Sequence, residues 1–234
     1  MNLPDTLPSS DSAVLLLSGG MDSTTLLWWM RSHNASGIHT VAIDYGQRHR
    51  VELEFSRKLS QAGGASRHEV LYLDLRQIGG NPLTSDTVDV PSADDEDQAR
   101  TVVPFRNMLF VTLTAAYAEV HGISDLYLSP VRDDFAAYRD CRREFYDSLE
   151  QSLQLGATRD TPVHIHTPFI QHWKSDIVKL GLSLGVPYEN THTCYEGRRP
   201  ACGVCDACAE RIAAFRLNGA SDPLVYEIPI DWTP

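Results

Sequence analysis

The segment "AVLLLSGGMDSTTLLWW", residues 13–29, constrains this chain more than any other. A run of apolar residues reads as a strand buried on both faces. Two glycines then turn the backbone, because Gly tolerates positive φ and close approach. An apolar run that reads as a helix, from about Asp22 to His33, follows at once. A buried strand passing through a glycine turn into a helix is the first half of a βαβ unit. The pattern continues. "HTVAIDY" (His39–Tyr45) is a second strand, "RHRVELEFSRKLSQAGG" a helix closed by Gly63 and Gly64, and "HEVLYLDL" (His68–Leu75) a third strand. The chain is therefore expected to be an α/β fold, an open, mostly parallel sheet with helices on both faces.

The second half repeats the alternation. "RNMLFVTLTAAYAEVHG" is a helix, "DLYLS" a fourth strand and "VHIHTPF" a fifth, with helices at 143–155 and 174–184. Between the halves lies an irregular stretch, 76–103, with six acidic residues between Asp86 and Asp97. A solvated loop is its simplest reading and a lid over a site the sharper one. The expected division is a nucleotide-binding domain over 1–190, a Cys-rich loop and helix over 191–219, and a tail over 220–234.

Ligands of open parallel sheets bind at the carboxyl ends of the strands. There the turn after Leu17 offers helix N–H groups and a positive dipole end to an anion, and Ser18, Ser23 and Thr24 add hydroxyls. The turn lacks the G-x-x-x-x-G-K-[ST] of the P-loop and the G-x-G-x-x-G of dinucleotide folds. Its S-G-G-x-D-S pattern resembles the ATP-pyrophosphatase loop. That likeness implies a cradle for the β- and γ-phosphates, which leave as pyrophosphate while attack falls on the α-phosphorus. Asp22 suits a Mg²⁺ ion bound with ATP.

Near the C-terminus, Cys194, Cys202, Cys205 and Cys208 follow the spacing C-x₇-C-x₂-C-x₂-C. Short C-x₂-C steps bring two thiolates to one ion, and four cysteines complete a tetrahedral site. Such repeats also ligate iron–sulfur clusters. Nothing else in the chain implies electron transfer, so structural Zn²⁺ is the expectation. His192 is an alternative ligand. Cys141 stands apart, and a lone cysteine is most often a small buried hydrophobe. His164 and His166 share a strand face, as two satisfied histidines or a metal pair.

The net charge of −11 argues against direct nucleic-acid binding. The 42% of hydrophobic residues suffices for a core. The N-terminal residues are polar, unlike a signal peptide, and no apolar run nears the roughly 20 residues that span a bilayer. A cytoplasmic protein without membrane contact is expected, with a homodimer as its assembly.

Five stretches in fixed order carry a specific resemblance: "LSGGMDST", "DYGQRHRVE", "VPFRN", "AYRDCRREF" and "TCYEG…CGVCDAC". Together they resemble the 7-cyano-7-deazaguanine synthase family of queuosine biosynthesis, over about Val14 to Asn218. The resemblance implies an adenine-nucleotide alpha-hydrolase-like fold. It also implies a ligase that converts 7-carboxy-7-deazaguanine, ammonia and ATP to the nitrile, AMP and pyrophosphate. Leu17, Ser18, Gly19, Gly20, Met21, Asp22, Ser23, Thr24, Thr25, Leu26 and Leu27 would form its nucleotide stretch. Asp22 would orient Mg²⁺-bound phosphates, and Lys174 would supply the charge that the first loop lacks. Gln47, Arg48, Arg106, Asn107 and Asp140 would line the deazaguanine pocket, where a carboxylate suits the N1–H and 2-amino edge and an arginine the substrate carboxylate. Phe135 or Tyr138 would stack on the base. Two positions depart from many relatives: Arg139 replaces Pro, and Phe105 replaces Gly. Other members of the wider superfamily adenylate a base in RNA or stop at an amide. A zinc-ribbon interaction module would explain the cysteines but not the loop.

Overall fold

The computed structural model describes residues 12–33, 35–95, 97–136, 138–159 and 163–233. Five parallel strands form one sheet: β1 (Ala13–Leu16), β2 (Ile38–Asp44), β3 (Arg67–Tyr72), β4 (Asp125–Tyr127) and β5 (His164–His166). Their order is β3-β2-β1-β4-β5, with Ala13 in register with Ile38 on one side and Asp125 on the other. The connections run outward one way from β1 and the other way from β4. The carboxyl ends of these two neighbours therefore form the crevice where such sheets bind ligands.

Alternation along the strands divides the core. Ala13, Leu15, Leu17 and Ile38 pack with α1 (Met21–Ser32) and α5 (Lys174–Leu184) through Leu26, Leu27, Met30 and Ile177. Thr40, on the same face, reaches Ser60 of α2 (Glu52–Ala62) at 2.6 Å. Val14, Val41, Ile43 and Leu126 face the other way, onto Val111, Ala115 and Ala118 of α3 (Arg106–Val120) and Tyr146 and Leu149 of α4 (Arg143–Gly156). Both sides of the sheet are thus covered, as the near-continuous apolar strands require.

The stretch at 76–103 is more than a solvated loop. Leu83 is fully buried in the core. Asn81 donates to the carbonyls of Arg100 (3.1 Å) and Val102 (2.8 Å), closing the loop at its base. Its middle is stapled to the cysteine region, where the Ala93 N–H donates to the Val204 carbonyl at 2.9 Å. Helix α6 (Asp206–Leu217) follows the cysteines and packs on α5. The tail returns over it: Arg211 grips Asp222 through Nε (2.6 Å) and a second guanidinium nitrogen (2.8 Å), both side chains being fully buried. A bidentate, desolvated pair of this kind fixes direction as well as distance.

Phe105, just before α3, has φ +56°, a left-handed conformation that costs a residue with a Cβ about 1 kcal/mol relative to glycine. Its ring is exposed, so backbone geometry rather than packing explains why glycine suits this position.

Candidate active site

A cavity of about 270 Å³ opens at the carboxyl ends of β1 and β4. Its floor is Leu16 and Ser18 on one side and Leu128, Ser129 and Pro130 on the other. The glycine turn forms one wall. Gly19 has φ +90°, and a Cβ there would lie 2.5 Å from the Glu52 carbonyl oxygen and 2.8 Å from the Ser56 nitrogen, so only glycine fits. Ser18 Oγ lies 3.1 Å from Ser23 Oγ and accepts from the Gly20 N–H at 3.2 Å. No side chain caps α1, which leaves its first-turn N–H groups to a ligand.

Within the expected nucleotide stretch, Ser18, Gly20, Met21, Asp22 and Ser23 line the cavity. Leu17, Leu26 and Leu27 are core. Thr24 and Thr25 turn inward, Thr24 Oγ1 donating to the Gly20 carbonyl (2.6 Å) and Thr25 Oγ1 sitting 2.8 Å from the Tyr188 hydroxyl. These five residues hold the turn in place from behind.

Lys174, the first residue of α5, is buried and enters the same cavity. Its Nζ lies 2.5 Å from Glu210 Oε2 and 3.9 Å from Asp22 Oδ2. Burial alone would discharge the amine, but Asp22, Glu210 and Asp134 outweigh it and hold the pKa well above its usual value. Burial pushes Asp22 up to about 7, against the pull of Lys174, and Asp22 Oδ1 has no hydrogen-bond partner. Three carboxylates around one ammonium leave an excess of negative charge and a free oxygen, which suits a hard divalent cation carried by a polyphosphate.

The other end of the cavity is aromatic. Tyr45, Phe110, Tyr138, Tyr146 and Tyr195 line it with His49, Glu52, Arg106 and Asn107. The Arg106 guanidinium lies 5.7 Å from the centre of the Tyr138 ring. Asn107 donates to the Cys141 sulfur at 3.3 Å, and its N–H points to Asp140 Oδ2 at 3.4 Å. Arg106, Asn107 and Asp140 are thus together, with Asp140 behind the wall rather than on it. Cys141 lines the cavity, and burial pushes its thiol up, which disfavours the thiolate.

Gln47 and Arg48 do not line the cavity. Gln47 is buried, accepting from the Tyr45 N–H (2.8 Å) and donating to the Ile43 carbonyl (3.1 Å) and Glu52 Oε1 (2.9 Å). Arg48 spans the loop, donating to the Val88 carbonyl at 2.9 Å and facing Glu196 at 3.4 Å. Phe135 packs against the core, while Tyr138 faces the cavity. His166 is held by Asp125 at 2.6 Å and His164 faces Glu150 at 3.6 Å, each histidine with its own carboxylate.

His49, Glu52, Asp134, Tyr195 and Glu210 also line the cavity, and nothing in the sequence marks them out. His49 and Glu52 sit inside the "DYGQRHRVE" stretch, and Glu210 follows the last cysteine by two residues; neither charge nor spacing singled them out.

Cys194, Cys202, Cys205 and Cys208 are buried and unbridged, with all four sulfurs within 4.8 Å of one another. The Cys202 and Cys205 N–H groups each point to a cysteine sulfur at 3.4 Å. An all-thiolate, closed and buried set fits a soft or borderline ion in tetrahedral geometry. The site is not an appendage. Cys205 immediately precedes α6, which brings Asp206, Glu210 and Arg211 to the cavity wall.

The family model for "Queuosine biosynthesis protein QueC" matches residues 12–219. This chain belongs to the QueC family. It is 39% identical over 221 residues to a 7-cyano-7-deazaguanine synthase of Clostridium kluyveri, covering 92% of this chain and 97% of that one. It is 42% identical to one of Thermoplasma acidophilum, covering 92% of each. Among solved structures, NMN synthetase from Francisella tularensis superposes with a TM-score of 0.51 at 13% identity, covering 91% of this chain and 79% of that one, which establishes a shared fold. Membership of the QueC family accounts for the order of the five motifs, all of which contribute residues to this cavity: the last does so through Thr193, Tyr195 and Asp206, while its cysteines sit behind the wall.

Proposed function

We propose that the chain is a 7-cyano-7-deazaguanine synthase, converting 7-carboxy-7-deazaguanine and ammonia to the nitrile with ATP. The observation that carries this reading is the uncapped glycine turn at Ser18–Ser23 facing buried Lys174 across one cavity, in a chain of the QueC family. The turn and Lys174 are assigned to the departing diphosphate, which leaves the α-phosphorus toward the aromatic end. A carboxylate is a poor electrophile toward an amine. Attack of its oxygen on that phosphorus gives an acyl-adenylate, and ammonia displaces AMP to leave the amide. A second ATP activates the amide oxygen in the same way, and loss of AMP and a proton gives the nitrile. The apolar wall of Leu16, Met21, Phe110 and Leu128 keeps water from the adenylate.

Asp22, with Asp134 and Glu210 beside it, is the set we assign to Mg²⁺ carried by ATP, which would offset phosphate charge when bound. Zn²⁺ is the ion we assign to the four cysteines, with a structural role. Reduced, metal-ready thiols suit the cytoplasm, and a homodimer is the assembly we propose, to be checked by light scattering.

Mass spectrometry of the product formed from the carboxy-deazaguanine, ammonia and ATP tests the function. The nitrile is expected. Accumulation of the amide alone would make the chain an amide ligase, and unchanged substrate would refute the reading.

A further inference from the structure

A 2-amino-pyrimidinone ring presents two adjacent donors, N1–H and the 2-amino group, next to a carbonyl acceptor. A site that reads it needs a carboxylate with a donor beside it. Asp140 does not reach the cavity; its oxygen serves the Asn107 N–H. Four of the carboxylates that line the wall, Asp22, Asp134, Asp206 and Glu210, gather around Lys174. Among the described lining residues, the carboxylate at the aromatic end is Glu52.

Glu52 is built for a fixed orientation. Its Oε1 accepts from Gln47 Nε2 at 2.9 Å, and Gln47 is itself locked by the Tyr45 N–H and the Ile43 carbonyl. Its Oε2 lies 3.7 Å from His49 Nε2, beyond hydrogen-bond reach. Burial holds the His49 ring down at about 3, so it is neutral and gives Glu52 no counter-charge. Burial pushes Glu52 itself up to about 8, against the Gln47 hydrogen bond and Arg106, which pull it down, and with Asp44 adding to the rise. A carboxyl group in this state gains from a ligand that offers two N–H donors. Arg106 lines the same end of the cavity and offers a donor to the ring's carbonyl, and the Tyr45 and Phe110 rings, tilted against each other with centres 5.0 Å apart, make that end apolar.

We propose that Glu52 is the specificity-determining residue for the deazaguanine, accepting from its N1–H and 2-amino group. Gln47 is then a positioning residue that aims the carboxylate. This assignment rests on the function proposed above.

The test compares kcat/KM, read as AMP release, for 7-carboxy-7-deazaguanine and for its 2-deamino analogue. The wild-type chain is expected to prefer the 2-amino substrate by roughly 10²–10⁴-fold, since losing a partner for a buried acceptor is costly. Glu52→Gln keeps the size and the Gln47 contact but offers one acceptor; its preference should fall to within about tenfold, through KM for the parent substrate. Glu52→Asp, which keeps the carboxyl group and withdraws it by one methylene, should weaken the preference by the same route and serves if Glu52→Gln does not fold. Full preference retained in either folded variant, or no preference in the wild type, overturns the assignment. Absence of AMP from both substrates with the wild type would instead remove the proposed function, and the assignment with it.

Discussion

The His192 N–H donates to the Gly19 carbonyl at 2.9 Å, so the loop that opens the cysteine region is hydrogen-bonded to the glycine turn. Phe55 stacks on the same histidine, with ring centres 5.6 Å apart. The cysteine region and the glycine turn therefore share one small contact, through which a disturbance of one should reach the other.

Removal of the metal should act at both places. With a thiol-competing chelator the melting temperature should fall by about 10 °C or more, the scale of losing several kcal/mol in a domain of this size. ATP affinity should fall with it. Metal analysis should find zinc, and Cys202→Ser should reproduce the chelator effect. Calorimetry and nucleotide binding on the same sample check this; ATP affinity unchanged after metal loss would contradict the coupling.

Gly19→Ala should be far worse than an ordinary surface change. The added methyl meets backbone atoms of Glu52 and Ser56, which cannot rotate away, and φ +90° is unfavourable for any side chain. A loss of about 2–4 kcal/mol in stability is expected, with ATP binding abolished. Gly20, whose Cβ would meet Ser18 Oγ at 3.2 Å and no closer atom, should tolerate alanine better. Denaturant unfolding of both variants measures the difference.

Lys174→Ala should lower kcat about 10²–10³-fold, the usual cost of removing a preorganised charge at a developing anion. It also leaves Asp22, Asp134 and Glu210 without their cation. Glu210→Gln removes the negative charge at the 2.5 Å contact but keeps an acceptor and the amine, so it should preserve more activity than Lys174→Ala. Steady-state kinetics on the two variants decides the order.

Asp22 supplies a pH signature. Its ordinary pKa of 3.8 rises to about 7 through burial in the ligand-free chain. Between those values the folded form keeps a proton that the unfolded form has lost. Stability contributed by this group is therefore lost as pH rises from about 4 to about 7. Asp22→Asn removes the effect, so its melting temperature relative to wild type should be higher at pH 8 than at pH 5, while activity is lost at both. Melting curves at the two values test the sign.

Much of this was legible in the chain itself. The buried strands, the glycine turn and the helix starting at Lys174 follow from local pattern, because strand alternation and capping act within a few residues. The four-cysteine cluster was legible because a set of thiols able to hold one ion needs a characteristic spacing. Glu52 and Glu210 were not, since α2, β3 and the 76–103 stretch separate the first from Arg106 in sequence, and the second reaches the cavity by a helix packing that no local rule encodes. Gln47 read as a pocket residue, yet its amide is consumed in bracing Glu52. Residue type tells which chemistry is available, and only packing tells which side of the wall it occupies. The stretch at 76–103 looked solvated from its acidic run, whereas Leu83 and Asn81 anchor it at the end where charge is sparse.

The central claim is that the glycine turn holds the departing diphosphate, so that the acceptor oxygen receives an adenylyl group. Quantifying the nucleotide products of turnover, with ¹⁸O in the substrate carboxylate, tests it most directly. AMP and pyrophosphate are expected, one pair for each activation, with ¹⁸O recovered in the AMP. ADP and inorganic phosphate, or AMP without the label, would contradict it.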